Sequence, residues 1–199
     1  MNFSIFEISF VTFLLAISGA VSQFPIGKLS DIYDRRLVIV IVTFGAAIFS
    51  ICCIFSVGLM YLPEGHATTK NWFFLFLTLF SFCSLPMFSL ILAHTNDYIP
   101  KEKFVSAGAG LQFAFGLGAM SGPFLCSIFM NAVGENGFFI FLFFFHTVIG
   151  IFGVYRMKIR DTVDNPDSQF VAMPQTITPA GIELNPTTEP IEEPIQNKT

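Results

Sequence analysis

The sequence predicts an all-α integral membrane protein, with about five transmembrane helices and a disordered C-terminal tail. Three observations carry that prediction. The 199 residues are 53% hydrophobic and only 12% charged, and 27 of them are Phe. Mean hydropathy is +0.68, whereas soluble domains carry about 25% charged residues. Second, five apolar runs lie at about 5–26, 37–59, 72–93, 104–130 and 137–155. A hydrocarbon core is crossed by about 20 apolar residues in a helix, so each run is long enough. No water is available there to satisfy open strand edges, so the spans must be helices. Third, the composition changes after residue 160, dividing a membrane domain (1–160) from a tail (161–199). The tail holds Pro166, Pro174, Pro179, Pro186, Pro190 and Pro194, seven acids, and Phe170 as its only aromatic. Such a segment buries too little apolar area to offset chain entropy.

The first run begins with Ser4 and Glu7 at capping-box spacing, in which the hydroxyl and the carboxylate each satisfy the other residue's backbone N–H. A proton-carrying role for Glu7 competes with this one, and a helix start explains the residue. The run has no basic leader and no small-residue cleavage site after it, so it reads as a retained span. The third run contains Ser84, Leu85 and Pro86. The fourth carries Gly108, Gly110, Gly116, Gly118 and Gly122, then Pro123. Gly118 and Gly122 have the spacing that lets helices pack backbone to backbone. Pro123 frees the carbonyl four residues before it and permits a kink. The fifth run includes His146. Cys52, Cys53, Cys83 and Cys126 fall inside the runs without metal-ligand spacing, and read as lipophilic filler. No metal and no cofactor is expected.

Orientation follows from the bases in the short loops. Lys28, Arg35 and Arg36 lie in the first loop, Lys101 and Lys103 in the third, and Arg156, Lys158 and Arg160 after the last span. The loop at 60–71 offers only Lys70, and that at 131–136 offers none. The expected arrangement is a multi-pass protein of the cell (inner) membrane, N-terminus outside and tail in the cytoplasm.

The densest charge cluster is GKLSDIYDRR, residues 27–36, with two acids and three bases between two spans. It resembles the signature loop of the major facilitator superfamily, G-x-x-x-D-[RK]-x-G-[RK]-[RK]. Gly27, Asp31, Arg35 and Arg36 match it. Ile32 stands where a base is usual and Asp34 where glycine is usual, and Asp34 can pair locally with Arg35 or Arg36. QFPIGKLSD from Gln23, the Ser84–Leu85–Pro86 step, AHTND at 93–97 and GLGAMSGP at 116–123 are similar to the second half of bacterial members. The resemblance covers about residues 5–158. It implies an MFS-type helical bundle in which these spans are helices eight to twelve, with the seventh helix and the first half missing. The alternative register makes them helices two to six of a first half. The family pattern also implies that the loop is a conformational latch whose Asp31 meets its partner in the missing half.

The same resemblance places Ser22, Gln23, Ser81, Ser84 and Gln112 on helices beside a substrate pathway. An amide in lipid needs a partner or a polar cavity, so Gln112 reads either as a substrate contact or as an interhelical hydrogen bond. His94 and Asp97, at the cytoplasmic end of the third span, are a candidate gate or helix cap. The spans hold no central titratable group, so any proton-coupling residue lies in the missing part or coupling works otherwise. The expected function is transport of a small solute by alternating access, as part of a secondary transporter. The expected partners are the lipid bilayer, the solute and the missing first-half helices or a second copy, with no nucleic acid. A homodimerising half-transporter and a non-transporting membrane scaffold are the alternatives. An enzyme would need clustered acids, histidines or a nucleophile with its base. His94 and Asp97 are the only close pair, so no enzyme is expected.

Overall fold

The computed structural model describes residues 3–60, 66–100, 103–159 and 170–173. They form six helices: α1 (Ile5–Ile32), α2 (Arg35–Met60), α3 (His66–Ser84), α4 (Met87–Asn96), α5 (Phe104–Val133) and α6 (Gly137–Ile159). No strand occurs among the described residues. Four helical stretches are long and apolar enough to cross a membrane. The last of them, Phe104–Ile159, is 56 residues long and is folded back on itself by the 3-10 turn Gly134–Asn136. Its two arms, of 30 and 23 residues, each exceed the length that one crossing requires. Gly134 makes the reversal at φ +80°, a conformation open to glycine at little cost.

The third apolar run is not one helix. α3 stops at Ser84 and α4 starts at Met87, with Leu85 and Pro86 between them. Proline lacks the N–H that would reach back four residues, and its ring crowds the carbonyl there. The helical ladder resumes on either side, with Leu85 N–H donating to Ser81 O at 3.0 Å and Leu90 N–H to Pro86 O at 3.1 Å. Pro123 in α5 and Pro25 in α1 leave their helices continuous in assignment.

α2 runs through the middle, packed against α3 on one side and α6 on the other. One apolar cluster joins Cys53 and Val57 of α2 to Phe73 of α3 and Phe139 of α6. A second, toward the opposite end, joins Ile26, Val38, Val42, Met87 and Leu90. α1 lies beside α3 through small polar residues. Ser18 Oγ donates to Thr78 O at 2.8 Å, and Ser81 Oγ donates to Leu15 O at 2.9 Å. Close approach through small residues, with hydroxyls bonding across, is how helices associate where lipid removes the hydrophobic drive between them. At Gly19 even a methyl group would collide with Leu85.

The capping box is present: Glu7 N–H donates to Ser4 Oγ at 3.2 Å, and Ser4 N–H to Glu7 Oε2 at 2.7 Å. Glu7 also pairs with Lys70 at 3.0 Å, tying the starts of α1 and α3 together. All four cysteines are free.

α5 is the least covered helix, with only Phe104, Gly108 and Cys126 buried. No described residue packs on Gly118 or Gly122, since a Cβ built on either would meet nothing within 4 Å. Met120 and Phe124 on the same helix are 79% and 68% exposed. α1 likewise exposes Phe6 and Phe24, at 77% and 79%. Exposure of this much large apolar surface is incompatible with water and marks a surface meant for lipid or for more protein.

Candidate functional site

The ends of α1 and α4, the starts of α2 and α5 and the end of α6 meet at one end of the bundle. Lys28, Arg35, Arg36, Lys103, Arg156 and Lys158 therefore gather there. Within this end the signature-loop residues form two separate charge clusters.

The first is centred on Arg35, whose side chain is only 8% exposed. Its Nη1 donates to both carboxylate oxygens of Asp97, at 2.8 and 3.0 Å, and its Nη2 to Asp31 Oδ1 at 3.1 Å. Three helices converge on one guanidinium: α1 brings Asp31 near its last turn, α2 brings Arg35 as its first residue, and Asp97 follows α4. The planar guanidinium of arginine lets Nη1 hold both oxygens of one carboxylate while Nη2 reaches a second. Asp97, a candidate gate or helix cap with His94, is the residue at the C-terminal cap of α4, its N–H donating to Ala93 O at 3.2 Å. Asp97 faces Arg35, while His94 stacks edge-on against Tyr98 at 5.0 Å. Asp31, expected to look outside this chain, has Arg35 and the Phe170 backbone N–H, the latter at 2.8 Å.

The second cluster is local. Asp34 Oδ1 accepts from Arg36 N–H at 2.9 Å in the manner of an N-cap, and Oδ2 accepts from Arg36 Nη2 at 2.9 Å. Of the two arginines open to Asp34, Arg36 takes it. Burial would raise the Asp34 carboxyl, but side-chain and backbone hydrogen bonds from Arg36 outweigh it and hold the group below its ordinary value. The acid at the glycine position of the signature therefore anchors the first turn of α2.

Four tail residues are also part of this end. Residues 170–173 lie between α1 and α4. The Phe170 ring covers Gly27 so closely that no Cβ would fit there. Ser89 Oγ donates to Met173 O at 2.9 Å, and Met173 N–H is 3.1 Å from Ser89 Oγ. Met173 is 7% exposed and Ser89 2%. The expected disorder of 161–199 does not extend to these four, and the other tail residues lie outside the described ones. Phe170 as the only tail aromatic, with Met173 close behind, was the available signal. Nothing in the sequence pointed to Ser89.

The candidate pathway residues do not gather into one site. Ser22 is fully buried and donates within α1 to Gly19 O at 2.9 Å. Ser84 Oγ lies 3.3 Å from His146 Nε2, so both serve contact between α3 and α6. His146 Nδ1 lies 2.7 Å from Leu142 O. Gln23 is half-buried on α1. Gln112 on α5 has its amide oxygen buried with no hydrogen-bond donor among the described residues. Among the described residues no three His, Cys, Asp or Glu side chains approach closely enough to hold a metal ion.

Comparison with known proteins agrees with this architecture. The Major Facilitator Superfamily profile matches residues 1–187. An uncharacterized MFS-type transporter of Yersinia enterocolitica is 25% identical over 160 residues, which is 80% of this chain and 37% of the relative. One from Yersinia pestis is 23% identical over 160 residues with the same coverage. The chain thus spans little more than a third of the length of these relatives. No solved structure matches. The apolar helical bundle, the signature loop at its basic end and the profile match over most of the chain make this a multi-pass membrane protein that belongs to the Major Facilitator Superfamily, a family of transporters rather than enzymes.

Proposed function

We propose that this chain works as helices eight to twelve of a secondary transporter that carries a small solute by alternating access. The observation that carries this reading is the Asp31–Arg35–Asp97 cluster, with Arg35 bonded to both acids at the meeting point of α1, α2 and α4. A buried guanidinium shared between two carboxylates has two discrete arrangements open to it, bonded and released. Packed elements with two such states are what a rocking transporter switches between. Asp31, Arg35 and Asp97 are the latch, and Asp34 with Arg36 holds the first turn of α2 in register. Gln112, with its unsatisfied amide oxygen on the uncovered helix α5, is the candidate solute contact.

The uncovered faces of α1 and α5, including Gly118, Gly122 and Pro123, form the surface for the first-half helices. A second copy of the chain is the alternative occupant, since parallel half-repeats permit a two-fold assembly. The cluster of bases at one end supports placing that end in the cytoplasm of an inner-membrane protein, with the N-terminus outside.

The test is the size of the native protein in its own membranes, detected with an antibody against residues 180–199. A band roughly twice the 22.1 kDa of this chain, or larger, supports the second-half reading. A band at 22.1 kDa rejects it. Cross-linking from Gly118→Cys would then separate a homodimer from a monomeric scaffold.

A further inference from the structure

Between α2, α4 and α6 lies a cavity of about 340 Å³. We propose that it holds the phosphate and glycerol region of one anionic phospholipid from the surrounding bilayer. Its walls are apolar and come from three helices: Ile39, Ile91 and Phe152 among them. Its polar lining is Arg36, Arg156, Tyr98 and His94, whose burial favours the neutral imidazole. No carboxylate among the described residues lines it.

Three features argue for a lipid of that charge. The cavity sits at the basic end, where α2 begins and α6 ends. Helix ends of this kind lie at the level of the phosphates, with the apolar wall extending inward along the acyl chains. Its size is at the lower end for pockets that hold small molecules, enough for a headgroup and the first methylenes. The charge balance is positive. Arg36 shares its charge with Asp34, whereas Arg156 is exposed in the last turn of α6 and has no carboxylate partner among the described residues. One net positive charge with no acid among the described lining residues matches a lipid whose headgroup carries one negative charge. A zwitterionic lipid would bring a cation, and the nearby acids Asp34 and Asp97 are already paired with Arg36 and Arg35. Gly153 keeps the cavity narrow, because α6 approaches α2 there closely enough that a Cβ would press on Val40. Basic pockets between transmembrane helices at a membrane surface are sites of this class.

The inference rests on the chain crossing a membrane and not on what it transports, so it stands or falls apart from the reading above. The test uses the purified full-length chain in detergent, incubated with phosphatidylglycerol, phosphatidylcholine or inorganic phosphate and examined by native mass spectrometry. One phosphatidylglycerol per chain is expected to survive at collision energies that strip phosphatidylcholine. Arg156→Gln should lower its retention roughly fivefold. Lys158→Gln removes the same charge outside the cavity and should change retention less than about twofold. Ile91→Trp keeps both arginines but fills the apolar wall, and should also expel the lipid. Equal retention of the two lipids would overturn the proposal, as would equal losses in Arg156→Gln and Lys158→Gln. Displacement of the lipid by an equal concentration of inorganic phosphate would instead make this a free-phosphate site and would overturn it too.

Discussion

Arg35 illustrates how much one side chain can be asked to hold. It lies nearly out of solvent, and both of its acids come from other helices or their ends. Removing one member of a buried ion pair leaves its partner charged and uncompensated, at a cost of about 3–5 kcal/mol. Asp97→Ala is therefore expected to destabilise the folded chain by about 3 kcal/mol, read as a lowered unfolding midpoint in detergent. Arg35→Lys keeps the charge but loses the fork, so it should fall between wild type and Asp97→Ala. Asp34 gives a prediction in pH. Its carboxyl is held below the ordinary 3.8, so its contribution is present above that value and lost as pH falls through the lower one. The stability gap between wild type and Asp34→Asn should be constant near neutrality and close only in acid. A gap that widened in acid would contradict the Arg36 pairing.

Among the elements, the pair α3 and α4 is the most informative. Five apolar runs were legible because length and hydropathy alone identify a span, and Pro86 was visible inside the third. Whether a proline kinks a helix or divides it depends on neighbours distant in sequence, and here the helix divides. Pro86→Ala restores an amide that can donate to Phe82 O, and should slow hydrogen exchange across residues 82–90 while leaving α2 unchanged. The contact of α1 with α3 is held by hydroxyls. Ser18→Ala and Ser81→Ala are each expected to cost about 0.6 kcal/mol, the average for such bonds in membranes. Both were readable as small residues in an apolar run. Their acceptors, Thr78 O and Leu15 O, were not, because register between two helices is set by packing along their whole length.

On the scale of the whole molecule, charge is segregated and apolar surface is not. All the described bases but Lys70 meet at one end because successive helices run in opposite directions, which the loop pattern already implied. The signature residues were likewise legible, since Gly27, Asp31, Arg35 and Arg36 lie in a span of ten. The choice of Asp97 as the partner of Arg35 was hidden, as the two are separated by 62 positions. The packing of residues 170–173 was hidden for another reason. Composition describes a tail as an average, and four residues with one aromatic ring and one methionine do not move that average.

That short docked segment imposes an exclusion. Gly27 has room above it for one occupant, and Phe170 takes it. Any group packed onto Gly27 must first displace that ring. The peptide bond after Phe170 then reports on occupancy. Chymotrypsin should cut there slowly in the chain described here and quickly in Gly27→Ala, whose methyl group evicts the ring. Slow cutting in both would mean that the ring is held by something other than the space above a glycine. A residue that lacks a side chain thus fixes where four tail residues dock.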